Sequence, residues 1–398
     1  MKRSYIYIIM CSLLLVACSS DDHEPAADSS ATVAFSAMMA SENGFATRAS
    51  TPIDNPTTSA FGQVMTLTAL QTRGFGVFGC YTGLYKYMDS NVKPDFMYNE
   101  HVSYDAGSTS WTYSPLKYWP NGEGTVDGNM GKNKHYVTFL AYAPYSDNST
   151  GTAGYCIPSF SHQGDLGNPW LTYRLHTNVD EQVDLLYAAP QLDQTKPTND
   201  EKVTFNFQHA LSCVGDKITI TCSQGMKNQV ASRIVGGITN AQVKITSFSI
   251  KYTLTSKARL VLWNNNAVNW QTIMSEDPIC TRTVSIDDPF TVYTNGDTGS
   301  FVIDNKGVFY IPLEQEGYTQ KAELSISYCI STYNGSVWND DTDNEGTATL
   351  TLHDYTDAYK SGKHLYLNIT LNQMNIGFMA AIAPWNAVDP VEIEGEEE

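Results

Sequence analysis

His209 is the residue in this sequence best suited to act as an acid or a base, because an imidazole titrates near neutral pH. No nucleophile or second base stands with it in a recognised motif, since His-Glu-x-x-His and Gly-x-Ser-x-Gly are both missing from the sequence. The pair Gly131-Lys132 is not a phosphate-binding loop, because Val126 occupies the position of the first glycine. We therefore predict that His209 lies at a strand end and bonds to backbone. We further predict that the protein is not an enzyme and uses no cofactor.

Metal ligands with a familiar spacing are also missing from the sequence. The acidic segment Asp341–Gly346 resembles the start of a calcium loop, but Leu352 stands where such a loop needs a bidentate glutamate. We therefore predict an exposed hairpin turn there and no metal site. Most cysteines beyond Cys18 are expected to be buried free thiols, with room for one disulfide. These residues are far apart and form no Cys-x-x-Cys pair: Cys80, Cys156, Cys213, Cys222, Cys280 and Cys329.

Four aromatic residues lie close together in the sequence: Trp111, Tyr113, Tyr118 and Trp119. Exposed rings can stack on sugars, whereas rings in a β-sandwich more commonly pack in the core and across strands. Both interpretations stay open at this point. A surface glycan-binding lipoprotein is therefore the alternative function from a different class.

Most of the chain alternates apolar and polar residues with a period of two, which is typical of half-buried strands. Lys321–Tyr328 and His364–Leu371 are clear examples. Within residues 242–254 the apolar phase slips by one residue, and this slip predicts a β-bulge. No segment carries a long helical stripe. We therefore predict an all-β protein built from β-sandwiches.

The length and charge of the chain limit both its organisation and its partners. The 398 residues are enough for two domains with sizeable cores. The stretch 189–202 contains prolines and several charges, so it predicts a boundary between an N-terminal domain, 49–198, and a C-terminal domain, 199–398. The net charge of −18 repels phosphate backbones, and no basic stripe opposes it, so nucleic acid is excluded as a partner.

The first residues have the features of an export signal. Lys2 and Arg3 precede an apolar run that is too short to span a bilayer. The ending Leu15–Cys18 resembles the lipobox of bacterial lipoproteins, in which the cysteine is diacylated and becomes the new N-terminus. We therefore predict a signal peptide over residues 1–17 and lipidation of Cys18.

A series of short motifs resembles the fimbrillin family of Bacteroidetes surface lipoproteins. Each motif is weak alone, but the series together with the lipobox is fairly specific. The resemblance implies pilus subunits made of two transthyretin-like β-sandwiches, which are exported as lipoproteins to the outer membrane. It also implies trimming by an Arg-specific surface protease and filling of the resulting groove by a strand of the next subunit. The motifs cover nearly the whole chain, in order: Lys117–Pro120, Phe139–Tyr145, Asp184–Ala188, Phe205–Ser212, Gly307–Pro312 and Tyr366–Leu371.

In this sequence the resemblance assigns the trimming site to Arg48, which would leave Ala49 as the new N-terminus. A polar, glycine-containing loop precedes Arg48 and gives a protease access to the backbone. Arg73 is the nearest competitor, but it lies among strand-like residues, where a protease would have poorer access. The alternative is that Arg48 is an ordinary loop cation.

The strand removed by such a cut would lie within residues 18–48. Residues 31–37 alternate and place Val33 and Phe35 on one face. Burial of these two side chains contributes only about 3–6 kcal/mol. A strand held so weakly can leave once its covalent connection is cut.

The strand donated to a neighbour is predicted at the C-terminus, over Ile376–Trp385. The alternative is that this segment is the last strand of its own sandwich. The residues 386–398 beyond it favour donation, because a strand serving only its own domain would not need them. Four apolar side chains of the segment share one face: Ile376, Phe378, Ala380 and Ile382.

These features predict a structural subunit of a surface fimbria that polymerises by donor-strand exchange and supports adhesion. The expected partners are other fimbrial subunits, the Arg-specific protease, outer-membrane lipid through Cys18 before trimming, and a host or bacterial surface ligand. A tip subunit or an anchor subunit, which would keep its lipid, stays open as an alternative.

Overall fold

The structure is a computed structural model, and none of the helices that it describes is long and apolar enough to cross a bilayer. The residues that it describes are 27–39, 64–88, 91–120, 135–149, 151–196, 201–264, 267–273, 279–297, 300–304, 307–313, 317–355, 357–373 and 375–385.

The first half of the described chain contains short strands and two short helices. In chain order these are β1 Ala27–Thr32, β2 Phe35–Met39, α1 Leu67–Arg73, β3 Phe75–Gly83, β4 Met97–Asp105, β5 Ser110–Thr112, β6 Tyr118–Pro120, β7 Tyr136–Ala143, α2 Gly151–Cys156, β8 Ser159–Phe160, β9 Trp170–Arg174, β10 Leu186–Ala188, β11 Gln191–Gln194 and β12 Val203–His209.

Most of these strands form one sheet, sheet I, in the order β2-β12-β10-β7-β3-β4-β5, with β11 also paired to β7. The central strands are buried on both faces. Along β7, Phe139 packs into one core with Phe35, Phe75 and Trp119. Its neighbour Leu140 faces the second and larger core. This arrangement explains why β3 and β7 are apolar on both faces in the sequence.

The second half contains the longer strands. In chain order its elements are β13 Ser212–Cys222, α3 Gln224–Ser232, β14 Asn240–Thr255, β15 Lys257–Asn264, β16 Ala267–Thr272, β17 Ile279–Ile286, β18 Phe290–Thr294, β19 Phe301–Asp304, β20 Val308–Tyr310, β21 Lys321–Tyr333, β22 Trp338–Asp340, β23 Asn344–Thr351, β24 Lys363–Leu371 and β25 Ile376–Pro384.

Two sheets of this half share the larger core. Sheet II has the order β19-β13-β24-β25, with β20 also on β13, and sheet III has the order β17-β14-β21-β22, with β18 on β14 and β23 on β21. Apolar residues of both sheets, such as Ile220 of β13 and Ile250 of β14, belong to one buried cluster. These facing sheets confirm the all-β prediction.

A fourth sheet combines the two halves of the chain. Its order is β16-β15-β9-β8, and Leu171 of β9 lies opposite Leu260 of β15. Strand β12 follows the predicted boundary at 198/199 but pairs with β10 and β2 in sheet I. The chain passes from sheet I to sheet II between His209 and Ser212, and the proline-containing stretch at the predicted boundary connects β11 to β12 within sheet I. The division into two domains stays a prediction.

The predicted bulge lies in β14. Its pairing with β21 shifts register between Ile245 and Ser247, which confirms the prediction. The three α-helices of the described chain were not predicted, because they are too short to show a helical stripe of apolar residues. Two of them begin at ordinary caps, since Thr66 Oγ1 accepts from Ala69 N at 3.2 Å and Ser223 Oγ accepts from Met226 N at 3.3 Å.

The cysteines of the described chain are free thiols, and all except the half-buried Cys280 are buried. This confirms the prediction of mostly buried thiols. Burial raises the pKa of the Cys80 thiol and that of Cys213. Cys80 therefore acts as a small apolar group in the core.

Candidate functional site

The candidate site begins at the edge of sheet I, where the N-terminal strand β2 pairs with β12. Strand β2 runs parallel to β12, with Phe35 opposite Val203 and Met39 opposite Phe207. Val203 N also donates to Ala34 O at 2.8 Å. Because β12 is the sole ladder partner of β2 in the described sheet, removal of β2 would expose one edge of β12.

Two side chains attach this segment to the core. Val33 and Phe35 are each 1% exposed. The Phe35 ring centroid lies 5.5 Å from those of Tyr113 and Phe139 and 5.7 Å from that of Phe205. Phe35 therefore contacts three rings that belong to different parts of sheet I and its surroundings.

Hydrogen bonds fix the segment just before β2. Val33 N donates to Lys117 O at 2.9 Å, and Tyr113 Oη donates to Val33 O at 2.9 Å. The Tyr113 hydroxyl is thus a positioning group for the strand. These bonds place the residue between β1 and β2 against the chain that leads into β6.

At the other end of the chain, β25 is the edge strand of sheet II. It pairs antiparallel with β24, from Leu371 opposite Ile376 to Lys363 opposite Pro384. Met379 points outward and is 62% exposed. In the described state the segment is thus the last strand of its own sheet, which is the alternative that the sequence left open. The four predicted apolar residues are partly buried against the larger core: Ile376, Phe378, Ala380 and Ile382.

Trp385 holds the C-terminal end of β25 in place. Its ring stacks on that of His209, with ring centroids 4.2 Å apart and an interplanar angle of 19°. Its ring centroid also lies 4.5 Å from that of His364 and 5.7 Å from that of Phe309. Trp385 N donates to Gly362 O at 3.0 Å. The residue therefore joins the end of sheet II to β12 of sheet I.

His209 in turn connects Trp385 to the N-terminal region. His209 Nδ1 and Asp184 Oδ2 are 2.7 Å apart, and Asp184 is fully buried. The same carboxylate oxygen accepts from Met65 N at 3.0 Å. The expectation of a backbone partner for His209 is therefore corrected, because its partner is a buried carboxylate. We call the series Met65, Asp184, His209 and Trp385 the contact chain.

The greater part of the chain matches one known protein family. The model described as fimbrillin-like matches residues 71–385, from α1 to the end of the described chain. The chain belongs to the fimbrillin-like family. This assignment confirms the resemblance found in the sequence.

Two relatives of this fimbrillin-like chain are informative. Fimbrium subunit Fim1C of Phocaeicola vulgatus is 25% identical over an alignment of 345 residues, and the match covers 79% of this chain and 82% of the relative. A fimbrial protein from Bacteroides vulgatus has a crystal structure similar to this one, with a TM-score of 0.63 at 20% identity. That match covers 89% of this chain and 99% of the other, and it shows a shared fold. The structure of the fimbrial anchor protein Mfa2 from Porphyromonas gingivalis is less similar: the match covers 89% of this chain and 97% of the other at 10% identity, with a TM-score of 0.32.

Several predicted residues of the fimbrillin-like chain lie outside the described residues, namely Cys18, Arg48 and Ala49. Arg73 is described, and it corrects the sequence analysis. It lies in the last turn of α1 and not among strand residues. Burial lowers the pKa of its guanidinium, and Asp184 opposes this effect. A partly buried helix remains a poor substrate for a protease, so the preference for Arg48 over Arg73 is kept.

The aromatic group belongs mainly to the core. Trp119 is 2% exposed and Tyr113 6%. Trp111 is half-buried, and its ring lies 4.9 Å from that of Phe75 and 5.1 Å from that of Tyr104. The burial and contacts of these rings therefore favour a role in core packing over a role as an exposed platform that binds sugars.

The acidic segment lies on the surface, as a hairpin turn would. Asp343 Oδ2 accepts from Thr246 Oγ1 at 2.9 Å, and Arg233 forms an ion pair with Asp341 at 3.0 Å. Both carboxylates are therefore used in contacts with neighbouring elements.

Sequence reasoning missed Asp184 and Trp385 as parts of the site. Asp184 lay within one of the family-like motifs, and Trp385 closed the alternating C-terminal segment. Their positions could be noticed, but their contact partners could not. His209 and Trp385 are far apart along the chain, so only the folded sheets bring their rings together.

Proposed function

We propose that this fimbrillin-like chain is a structural subunit of a surface fimbria and assembles by exchange of edge strands. The family match and the named relatives support the fimbrial role. The single observation that supports the assembly mechanism concerns β2. It is an edge strand that two buried side chains and a few hydrogen bonds hold in place. No catalytic step is part of this function.

The proposed pathway begins with export and lipidation of Cys18, followed by attachment to the outer membrane at the cell surface. An Arg-specific protease then cuts after Arg48, so that Ala49 becomes the N-terminus. The cut separates β2 from the body of the subunit. Burial of Val33 and Phe35 contributes about 3–6 kcal/mol, and each ladder hydrogen bond adds about 1 kcal/mol net.

Departure of β2 would open a groove beside β12. The groove would be lined by rings that now contact Phe35, including Tyr113, Phe139 and Phe205. An apolar groove along an unpaired strand edge favours addition of an extended segment from another chain. Alternate side chains of that segment would occupy the positions of Val33 and Phe35.

The C-terminal segment of a neighbouring subunit is the proposed occupant. It has four apolar residues on one face, whereas the strand that it would replace has two. More apolar surface would therefore be buried in the groove, which favours the donor strand. In the described state this segment is paired to β24 and fixed by Trp385. Donation therefore requires β25 to leave its own sheet first. The residues on the shared face are Ile376, Phe378, Ala380 and Ile382.

We also propose that the sheets of the described chain correspond to two transthyretin-like sandwiches. Sheet I and its partners would form the first, and sheets II and III the second. The smaller cluster of buried apolar residues draws all its members from residues 33–207, which supports a separate first sandwich. The passage between the sandwiches would then lie at residues 210–211.

Arg48→Ala tests the first half of the pathway. We expect the variant to keep its original N-terminus and to form no heat-sensitive ladder on denaturing gels, whereas the parent shows Ala49 as its N-terminus and forms ladders. Arg233→Ala is the matched control, because Arg233 is 46% exposed on the surface and its loss should leave trimming unchanged. Filaments formed equally well by Arg48→Ala would disprove the mechanism. A lipidated Cys18 terminus on all surface protein would instead indicate an anchor subunit.

A peptide experiment tests the second half. A peptide of residues 376–385 should bind trimmed protein from which β2 has been removed, and should not bind untrimmed protein. The same peptide with Phe378→Ser should bind more weakly, because it lacks the largest apolar side chain of the shared face. Equal binding to trimmed and untrimmed protein, or no binding to either, would show that β25 is not the donor.

A further inference from the structure

Three side chains of kinds that commonly bind metals lie close together where β13 and β24 pair in parallel. Cys213 is directly opposite His364 in the register of these strands. The pairing then shifts between Val214 and Ile218, and Gly215 has a φ of +77°. This irregularity brings Asp216 back beside Cys213 and His364.

Ligand atoms of Cys213, Asp216 and His364 all lie within 4.8 Å of one another. His364 Nδ1 and Asp216 Oδ2 are 2.6 Å apart. The group is enclosed: Cys213 is fully buried, and the side chains of His364 and Asp216 are 10% and 12% exposed. Such proximity of a thiol, an imidazole and a carboxylate matches the donor set of tetrahedral metal sites.

Two buried polar atoms at this place lack a hydrogen-bond partner in the described structure. They are Asp216 Oδ1 and Tyr252 Oη. The Tyr252 hydroxyl lies against Gly215, where a Cβ would be 2.3 Å from it. A buried polar group without a partner is costly. A cation at this position would satisfy the carboxylate oxygen.

We propose that Cys213, Asp216 and His364 bind a divalent first-row transition metal, with Zn²⁺ as the favoured ion. Thiolate and imidazole ligands select such metals, whereas Ca²⁺ and Mg²⁺ prefer oxygen ligands alone. On binding, the Cys213 thiol releases its proton to solvent and its sulfur bonds to the metal. The contact between Asp216 and His364 is replaced by bonds from each to the metal. Water or the Tyr252 hydroxyl supplies the fourth ligand.

The site would join β13 to β24 within sheet II and fix the ring of His364. The Trp385 ring packs against that ring, with the centroids 4.5 Å apart. The metal would therefore also stabilise the position of Trp385 at the end of β25. The sequence predicted no metal, because Asp216 and His364 are 148 positions apart. The proposal is independent of the fimbrial function, since it concerns the folded subunit alone.

Cobalt(II) titration of the purified, chelator-dialysed protein tests the proposal. A cobalt–thiolate bond gives a near-ultraviolet charge-transfer band that surface carboxylates do not give. We expect the parent to bind one cobalt per chain with this band, and zinc to displace the cobalt. Cys222→Ser is the matched control, because Cys222 is a buried thiol on the same strand outside the cluster, and it should keep the band. Cys213→Ser should lose it.

A second measurement separates metal binding from misfolding. Zinc should raise the Tm of the parent and of Cys222→Ser but not that of Cys213→Ser, because a ligand that binds the folded state alone stabilises it. If circular dichroism shows that Cys213→Ser is unfolded, Asp216→Asn replaces it, and a folded Asp216→Asn should bind cobalt with reduced stoichiometry. Absence of the band in the parent, or its retention in a folded Cys213→Ser, would overturn the proposal.

Discussion

At the scale of single residues, Val33 and Phe35 fill the first core from a strand that lies at the edge of its sheet. Their alternation was readable in the sequence, because a half-buried strand places every second side chain inside. The rings that receive Phe35 were not readable as a set. Tyr113 belonged to an aromatic group for which an exposed sugar-binding role stayed open, and its bond to Val33 O depends on the fold.

Phe35→Ala should lower the free energy of unfolding of the uncut protein by about 3–5 kcal/mol, as is usual for loss of a buried ring. Denaturant titration followed by fluorescence measures this change. Met38→Ala on the same strand is the control, since Met38 is 37% exposed, and its effect should stay within about 0.5 kcal/mol. Equal effects of the two substitutions would show that β2 is not held by its buried face.

Trp385→Ala should loosen β25 selectively. The tryptophan loses its contacts with His209, His364 and Phe309, so amide hydrogens of β25 should exchange faster while those of β14 do not. Hydrogen exchange with mass spectrometry measures both strands. Met379→Ala, which removes a side chain that is 62% exposed, should leave the exchange of β25 as it was. Unchanged exchange in Trp385→Ala would mean that pairing with β24 alone holds the strand.

At the scale of elements, alternation located most of the strands and the bulge in β14. The short helices were missed, because seven to nine residues in α1 and α3 are too few to establish a period. Capping residues were the available signal: Thr66 and Ser223 each accept a backbone hydrogen bond from the first turn. Side chains of this type also begin turns, so caps alone do not predict a helix.

Gly74→Ala should destabilise the protein, because Gly74 ends α1 with a φ of +68° and an added Cβ would lie 2.6 Å from Val102 O. The unfavourable backbone conformation alone costs about 1–3 kcal/mol. Thermal unfolding should show the loss as a lower Tm. Gly164→Ala is the control, because no atom lies within 4 Å of its added Cβ. A Tm equal to that of the control would indicate that α1 ends differently in solution.

At the scale of the whole molecule, the point where the chain passes from sheet I to sheet II could not be read from the sequence. A proline-containing stretch is a reasonable linker, yet here it connects strands of the same sheet. The sheet formed by β8, β9, β15 and β16 could not be foreseen, because alternation does not reveal which strand pairs with which. Residues of both halves, such as Leu171 and Leu260, consequently share one core.

This shared core predicts that the protein unfolds in one cooperative transition. Tryptophan fluorescence and far-ultraviolet circular dichroism should give coincident curves in denaturant. The physical reason is that unfolding of either half would expose Leu171 or Leu260 and leave an unpaired edge on β9 or β15. Two separated transitions would show instead that the halves are energetically independent.

The contact chain runs from the core under β2 to the end of β25, because Met65 belongs to the same buried cluster as Val33 and Phe35. Met65 and His209 share one oxygen of Asp184, and His209 supports Trp385. A shift of the chain near Met65 would therefore alter the surface under the tryptophan. In the strand exchange proposed above, such a link would set the order of events: a subunit would release β25 to the next subunit only after β2 had left its own groove. Newly exported subunits would then be protected from joining one another too early.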